Sequence, residues 1–211
     1  IISSSPFPTN HIVAAQLKKI FKTPWVADFR DPWTENHNYP FNKLRKYFEQ
    51  KLELRTLRSA DVMVAATPGY CKKQTDLHKK ECFYVPNGFD PDNLSKVAGG
   101  APQEKFTVVY TGAVYQGKQN PGKFFSALAG LISKGVIARG EVEIDFYGTR
   151  QAWLQELIGF YGLKDIARQR GQISRRQAQE KQREAHVLLL LNWEAASEKG
   201  VFPSKIFEYL S

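Results

Sequence analysis

Phe106-Thr-Val-Val-Tyr-Thr-Gly-Ala-Val-Tyr-Gln-Gly-Lys118 opens on an unbroken run of β-branched and aromatic residues and ends in a glycine-bearing loop. The run over residues 106–111 has strand length and composition. It does not alternate with polar residues, as a strand with one wet face would, so it reads as a parallel strand covered on both faces. The loop runs from Gly112 to Pro121, and a helical pattern follows over residues 122–134. Strand, loop and helix in that order form the repeating unit of a parallel α/β sheet.

The same alternation extends in both directions. Downstream it predicts a strand over 143–147, a helix over 151–161 and a short strand near 166–170. Ser174 and Gln177 have capping-box spacing for a helix reaching residue 185. Residues 187–191 read as a fully buried strand, leading through 192–202 to a terminal helix with Ser204 as N-cap. Upstream, residues 1–3 read as the end of a strand. Residues 10–22 read as a helix with Ile12, Leu17, Ile20 and Phe21 on its apolar side. A strand over 25–29 and an aromatic loop to Pro40 precede a long charged helix over 43–58 that carries Leu44, Tyr47, Phe48, Leu52 and Leu57. A strand over 61–66 follows, then Thr67 as N-cap and Pro68 as first-turn proline of the next helix. A strand over 82–85 closes the series.

Residues 90–103 hold Pro, Asn, Ser and Gly-Gly with little periodicity and read as a linker. The expected fold class is therefore α/β, with two Rossmann-like domains built on parallel sheets. Residues 1–90 form the first, 91–105 the linker and 106–211 the second. The sequence begins in what looks like a buried strand, without Met, and stops inside a helix, so it reads as a piece cut at both ends.

The totals narrow the functional classes. Of 211 residues, 42% are apolar and 24% charged, which suits a packed globular chain rather than disorder. No apolar run approaches a membrane span or a signal peptide. Cys71 and Cys82 are too few for a disulfide scaffold and fit a reducing compartment, although a bond between them stays open. The four histidines are scattered, without metal-ligand spacing. A net charge of +9, with basic clusters over 43–58, 72–80 and 168–183, points to partners bearing phosphates: nucleotides, nucleic acid or anionic lipid.

In doubly wound sheets, ligands lie outside the carboxyl ends of the strands, so the loops there hold the candidate chemistry. Gly112 to Lys118 can present backbone amides and one cation to a phosphate. It is not a Walker loop, since Gln119 follows the lysine, and no Gly-x-Gly-x-x-Gly follows any strand. Asp28 and Arg30 share a face at the end of the second strand and either pair with each other or, with Asp31, meet sugar hydroxyls or an acidic acceptor. Asp90-Pro-Asp92 has the form of a metal-binding Asp-x-Asp but reads as a turn in the linker. In the last helix, Lys205 and Glu208 lie three apart at the positive end, a cation for phosphate and an acceptor for hydroxyls.

Seven short pieces then run in a recognisable order: Trp25-Val-Ala-Asp-Phe-Arg-Asp-Pro-Trp33, Ala60-Asp-Val…Ala-Thr67, Val85-Pro-Asn-Gly-Phe-Asp90, Val109-Tyr-Thr-Gly112…Lys118, Phe146-Tyr-Gly148, Gly171-Gln-Ile-Ser174 and Phe202-Pro-Ser-Lys-Ile-Phe-Glu-Tyr-Leu210. In this the chain resembles a family 4 glycosyltransferase of the GT-B fold, from the bacterial group that builds cell-surface polysaccharides. The resemblance implies a nucleotide-sugar donor held mainly by the second domain, with transfer to a lipid-linked or polysaccharide acceptor, retention of configuration, and no cofactor or metal. It places Gly112, Lys118, Ser204 and Lys205 at the donor diphosphate, Glu208 on the ribose, and Gln172 and Ile173 near the base. Arg30 and Asp31 remain acceptor-side candidates, and no catalytic residue is assigned.

Two departures stand out. The family commonly has Gly-Arg where this chain has Gly112-Ala113, and a glutamate where it has Gly200, with Lys205 as a compensating cation. The fragment alone is expected to be inactive. The implied location is cytoplasmic, with the basic helix over 43–58 against an anionic inner membrane leaflet. A non-catalytic nucleotide-sugar sensor and a basic nucleic-acid-binding module are the alternatives. The second is disfavoured because the basic residues fall on several helices and match no nucleic-acid motif.

Overall fold

Residues 1–36, 39–89, 104–193 and 203–210 are described in the structure, a computed structural model. The linker with Asp90 and Asp92, and the stretch holding Gly200, lie outside the described residues. The chain divides into two compact units, one containing Ile1–Asn87 and the other containing residues 104–193 and 203–210.

In the first unit, β1 (Ile2–Ser4), α1 (Pro8–Phe21), β2 (Val26–Phe29), α2 (Lys43–Leu57), β3 (Val62–Ala65), α3 (Pro68–His78) and β4 (Cys82–Tyr84) follow one another. The strands pair in parallel in the order β1-β2-β3-β4. Register sets Ala27 beside Met63 and Phe29 beside Ala65, so these residues share one sheet face. There they meet Ala14 of α1, Leu57 of α2, and Tyr70 and Cys71 of α3 in one core. Burying a Phe29 or Leu57 side chain supplies about 1.5–3 kcal/mol, which fixes the helix layer on that face. The opposite face shows half-buried Val26, Val62 and Val64, with Ile2 and Phe83 exposed. The expectation of cover on both faces is therefore met on one face only among the described residues of this unit.

The helix starts follow sequence rules. Asn42 caps α2 by accepting from the Arg45 amide at 2.9 Å, and Thr67 caps α3 by accepting from the Tyr70 amide at 3.1 Å. The faces that α1 and α2 bury do not follow those rules. α1 buries His11 and Ala14 while Ile20 and Phe21 stay exposed, and α2 buries Glu53, Thr56 and Leu57. The inward faces are polar because they enter a hydrogen-bonded cluster. Ser3 Oγ lies 2.7 Å from His11 Nδ1 and accepts from Trp25 Nε1 at 2.7 Å. Glu53 Oε2 accepts from the Thr34 amide at 3.1 Å and from the Thr34 hydroxyl, while Oε1 stands 3.5 Å from His78 Nε2. These bonds offset part of the cost of burial, while His11 Nε2, Glu53 Oε1 and His78 Nε2 are buried without a hydrogen-bond partner among the described residues.

Cys71 and Cys82 are both free and buried. Burial, with the Cys71 thiol alongside, pushes the Cys82 thiol up to about 12, so it stays a protonated packing group.

The second unit contains β5 (Phe106–Thr111), α4 (Gly122–Ser133), β6 (Val142–Tyr147), α5 (Ala152–Phe160), β7 (Ala167–Gly171), α6 (Arg175–Glu184), β8 (Val187–Leu188) and α7 (Lys205–Tyr209). Its parallel sheet has the order β7-β6-β5-β8. Val108, Tyr110, Ile144 and Phe146 pack under Phe125 and Leu128 of α4 and Leu154 and Ile158 of α5. On the other face, Thr107, Thr111 and Asp145 are buried, and Gln182 of α6 donates to the Thr111 hydroxyl at 2.7 Å. The capping box of Ser174 and Gln177 is present.

Two sequence expectations are corrected here. The fully buried strand over 187–191 is paired only at Val187 and Leu188, because β8 is the edge of the described sheet. Val187 is exposed, and burial is reached only at Leu191. Ser204 stands at the N-cap position of α7 but does not cap it: its dihedrals are helical and its side chain makes no capping hydrogen bond. Pro203 already starts the turn, with its carbonyl accepting from the Ile206 amide at 3.0 Å, so Ser204 falls inside the first turn.

Candidate functional site

The carboxyl ends of β5, β6 and β7 are joined loop to loop. The Gly112 amide donates to the Tyr147 carbonyl at 2.6 Å, and the Gly148 amide donates to the Gly171 carbonyl at 2.9 Å. The loops after β5 and β6 touch through bare backbone: a Cβ on Gly148 would stand 2.2 Å from the Gly112 carbonyl oxygen. Gly112 also has a φ of +112°, a conformation that L side chains rarely adopt. Glycine at both positions lets two backbones meet where a third group approaches.

That third group is Lys205. A Cβ on Gly112 would lie 2.9 Å from both Cε and Nζ of Lys205, and Nζ sits 5.2 Å from the centre of the Tyr110 ring. Burial lowers the Lys205 pKa below the usual lysine value, and Glu208 partly restores it. No hydrogen bond or ion pair satisfies this ammonium among the described residues. A half-buried cation without a hydrogen-bonding protein partner, resting on an aromatic face, is an anion-seeking arrangement. α7 is positioned by Tyr209, whose hydroxyl lies 3.5 Å from both the amide and the hydroxyl of Thr111. Tyr110 is fully buried, and its hydroxyl donates to the Ala113 carbonyl at 3.0 Å, bracing the loop from below.

Lys118 has a different support. Its Nζ stands 5.6 Å from the ring centre of Trp193, which itself stacks on Tyr115 at 5.5 Å. The loop carrying it is clamped by Gln119, which is buried, donates to the Leu191 carbonyl at 2.9 Å and accepts from the Tyr115 amide at 3.3 Å. Sequence reading registered Gln119 only as the residue that breaks the Walker pattern, whereas the structure makes it the strut between the loop and the segment after β8. Gln119→Leu is expected to cost about 1–3 kcal/mol by leaving the Leu191 carbonyl buried and unpaired. An unchanged urea midpoint, with unchanged exchange protection of the Tyr115 amide, would remove that role.

The remaining sequence candidates are distributed as follows. Glu208 is half-buried one turn beyond Lys205. Gln172 is exposed and donates to the Thr149 hydroxyl at 2.9 Å, tying the loop after β7 to the loop after β6, with Ile173 half-buried beside it. Ser204 is exposed ahead of Lys205.

In the first unit, Arg30 pairs with Asp28 at 2.9 Å and donates through Nη1 to the Val85 and Pro86 carbonyls and to Asn87 Oδ1, each at 3.2 Å. It thus stitches the end of β2 to the segment after β4. The Asp31 carbonyl accepts from the Ser5 hydroxyl at 2.5 Å. A separate cavity of about 270 Å³ under α6 is lined by Glu143, Asp145, Arg170, Lys181 and Glu184. Arg170 bridges Asp145 and Glu143, and Lys181 pairs with Glu184, so its charges are satisfied internally. Among the described residues no group of three or more His, Cys, Asp or Glu could hold a metal ion.

No protein-family model and no curated protein matches the sequence. Solved structures do match. A HepE protein from Anabaena, in complex with UDP and glucose, is 16% identical over 89% of this chain and 51% of its own, with a TM-score of 0.57. An α,α-trehalose-phosphate synthase (UDP-forming) from Burkholderia vietnamiensis is 13% identical over 89% and 50%, with a TM-score of 0.61. A sucrose-phosphate synthase from Thermosynechococcus elongatus is 15% identical over 89% and 49%, with a TM-score of 0.54. The chain spans about half the length of these structures. At such identity the likeness shows the fold: an α/β chain of GT-B type with two parallel four-stranded sheets.

Proposed function

We propose that this chain belongs to a glycosyltransferase and holds its nucleotide-sugar donor in the second unit, at the joined loops after β5 and β6 and the start of α7. One observation carries the reading: the ammonium of Lys205 is half-buried against Gly112 and Tyr110 without a hydrogen-bonding or ion-pairing protein partner among the described residues. A buried cation is costly unless a counter-charge arrives, and the donor diphosphate supplies one. Lys118 adds to that field, and the two cations together would stabilise the diphosphate as it leaves. Glu208 is the acceptor for ribose hydroxyls, and Gln172 and Ile173 flank the base.

Solved neighbours of the same fold bind UDP or are named as UDP-forming, which makes a uridine nucleotide the first donor to try. Transfer with retention, without a metal, to a lipid-linked or polysaccharide acceptor comes from the family resemblance. Arg30 and Asp31 are the acceptor-side candidates, and the proposed location is cytoplasmic.

The test is calorimetric titration of the chain with UDP-, GDP- and ADP-glucose. Lys205→Ala is expected to weaken binding of the preferred donor about tenfold to a hundredfold, the range for losing a charge-assisted hydrogen bond. Unchanged affinity in that variant, with its stability retained, would reject Lys205 as the diphosphate cation.

A further inference from the structure

α5 carries two apolar stripes. Leu154 and Ile158 are buried in the core of the second unit, while Trp153, Leu157 and Phe160 recur at helical spacing on the adjacent side. With Glu156 they form one wall of a cavity of about 500 Å³, and Gly117 and Asn120 of the loop after β5 lie on the other. Phe160 is 80% exposed, and Tyr161 meets its ring edge to face at 5.1 Å. The indole N–H of Trp153 is buried and has no hydrogen-bond partner among the described residues. Asn120 Oδ1 accepts from the Gly122 amide at 2.8 Å, which leaves its Nδ2 donors without a partner among the described residues. Of the described residues lining the cavity, Glu156 alone is charged, and its carboxylate has no ion-pair or hydrogen-bond partner among them. Lys118 belongs to the same loop, but its ammonium is turned to Trp193. Neither Gly112 nor Lys205 lines this cavity, which lies outside the proposed diphosphate site.

We infer that this cavity binds a neutral oligosaccharide, at a site separate from the donor's. A pyranose ring presents a face of C–H groups and a rim of hydroxyls that both donate and accept. The rings of Trp153 and Phe160 match the face. Glu156 and Asn120 match the rim: the carboxylate accepts from one hydroxyl while the amide donates to another. The Trp153 N–H is a further donor lacking an acceptor, and a buried donor is costly until one arrives. The volume lies within the ~300–1,000 Å³ of small-ligand sites, which combine mostly apolar linings with a few polar groups. Charge argues against a nucleotide or another phosphate, because Glu156 would repel it with no cation to compensate. An apolar helix would cover the rings but leave Glu156 and Asn120 desolvated and unpaired. The inference stands whether or not Lys205 holds a diphosphate.

The experiment is saturation-transfer NMR and calorimetric titration of the 211-residue chain with maltotetraose, cellotetraose and chitotetraose. At least one is expected to bind with a Kd of about 1 mM or tighter. Phe160→Ala should weaken that binding about tenfold through loss of the stacking face. Glu156→Ala should weaken it about tenfold to a hundredfold, the range for losing a hydrogen bond to a charged group. Both side chains are exposed, so circular dichroism should show both variants folded. Lys205→Ala and an excess of UDP should leave the sugar affinity unchanged, which separates this site from the donor's. No binding of any of the three sugars at about 10 mM would overturn the inference. Displacement of the sugar by UDP, or unchanged affinity in both cavity variants, would do the same. So would a dimer in sedimentation velocity that Phe160→Ala dissolves, since a second copy would then cover the cavity.

Discussion

Gly148→Ala is expected to unfold or severely loosen the second unit, with a loss of about 3 kcal/mol or more, because its new methyl would land on backbone rather than on a side chain. The Gly112 carbonyl oxygen is only 2.2 Å from that Cβ position. The Gly112 peptide has no free direction of retreat. Its amide is bonded to Tyr147 on one side, and Lys205 occupies the space beside its α-carbon on the other. Relief would have to come from parting the loops after β5 and β6, which also dismantles the proposed diphosphate site. Gly130→Ala in α4 is the matched control. Nothing lies within 4 Å of its Cβ, and removing a helical glycine should stabilise by about 0.5–1 kcal/mol. Urea midpoints for the two variants should therefore move in opposite directions, and donor affinity should fall only for Gly148→Ala. Equal, small shifts in both would mean that the loop contact is softer than its geometry.

The contrast between these glycines also shows which parts of the molecule were legible in the sequence. Strand and helix order was, because each apolar run is flanked by its own caps and turns: Thr67 and Pro68 before α3, Ser174 and Gln177 before α6. The approach of Lys205 to Gly112 was legible only in outline. The resemblance put both at a diphosphate, but not the cation against the α-carbon. Gln119 was opaque because its partner, the Leu191 carbonyl, is 72 residues away. The face of α1 was misread for a deeper reason. Periodicity assigns the apolar stripe to the core, yet α1 turns His11 inward, as α2 does Glu53, where Ser3, Thr34 and His78 receive them. A buried polar cluster has no sequence period, since its members come from β1, α1, the loop after β2, α2 and the end of α3. Apolar residues of both helices, Ile20 and Phe21 of α1 and Leu44 and Phe48 of α2, are thereby left outside.

That cluster gives the first unit a pH dependence of determined sign. His11 is fully buried, and burial lowers its pKa from 6.5 to about 4, with the His78 ring acting in the same direction and Glu53 and Asp28 pulling it partly back. In the folded state the ring therefore stays neutral between these two values, while in the unfolded chain it takes up a proton. The unfolded state binds more protons across that window, so stability is full above about pH 6.5 and falls as pH drops to about 4, below which both states are protonated and this contribution is flat. The gap corresponds to about 3 kcal/mol lost from the first unit. The groups facing His11 set the size of the effect: Ser3 on β1 at Nδ1, Glu53 on α2, His78 ending α3 and Asp28 on β2. Urea denaturation followed at Trp25 and Trp33 fluorescence, from pH 7 down to about 4, should show this decline. His11→Gln removes the titrating ring while keeping a donor and an acceptor. It should start from a lower stability at neutral pH and decline less by about 3 kcal/mol across the same window. Parallel curves for the two proteins would mean that the acid sensitivity of this unit lies in other groups and that His11 exchanges its proton freely in the fold.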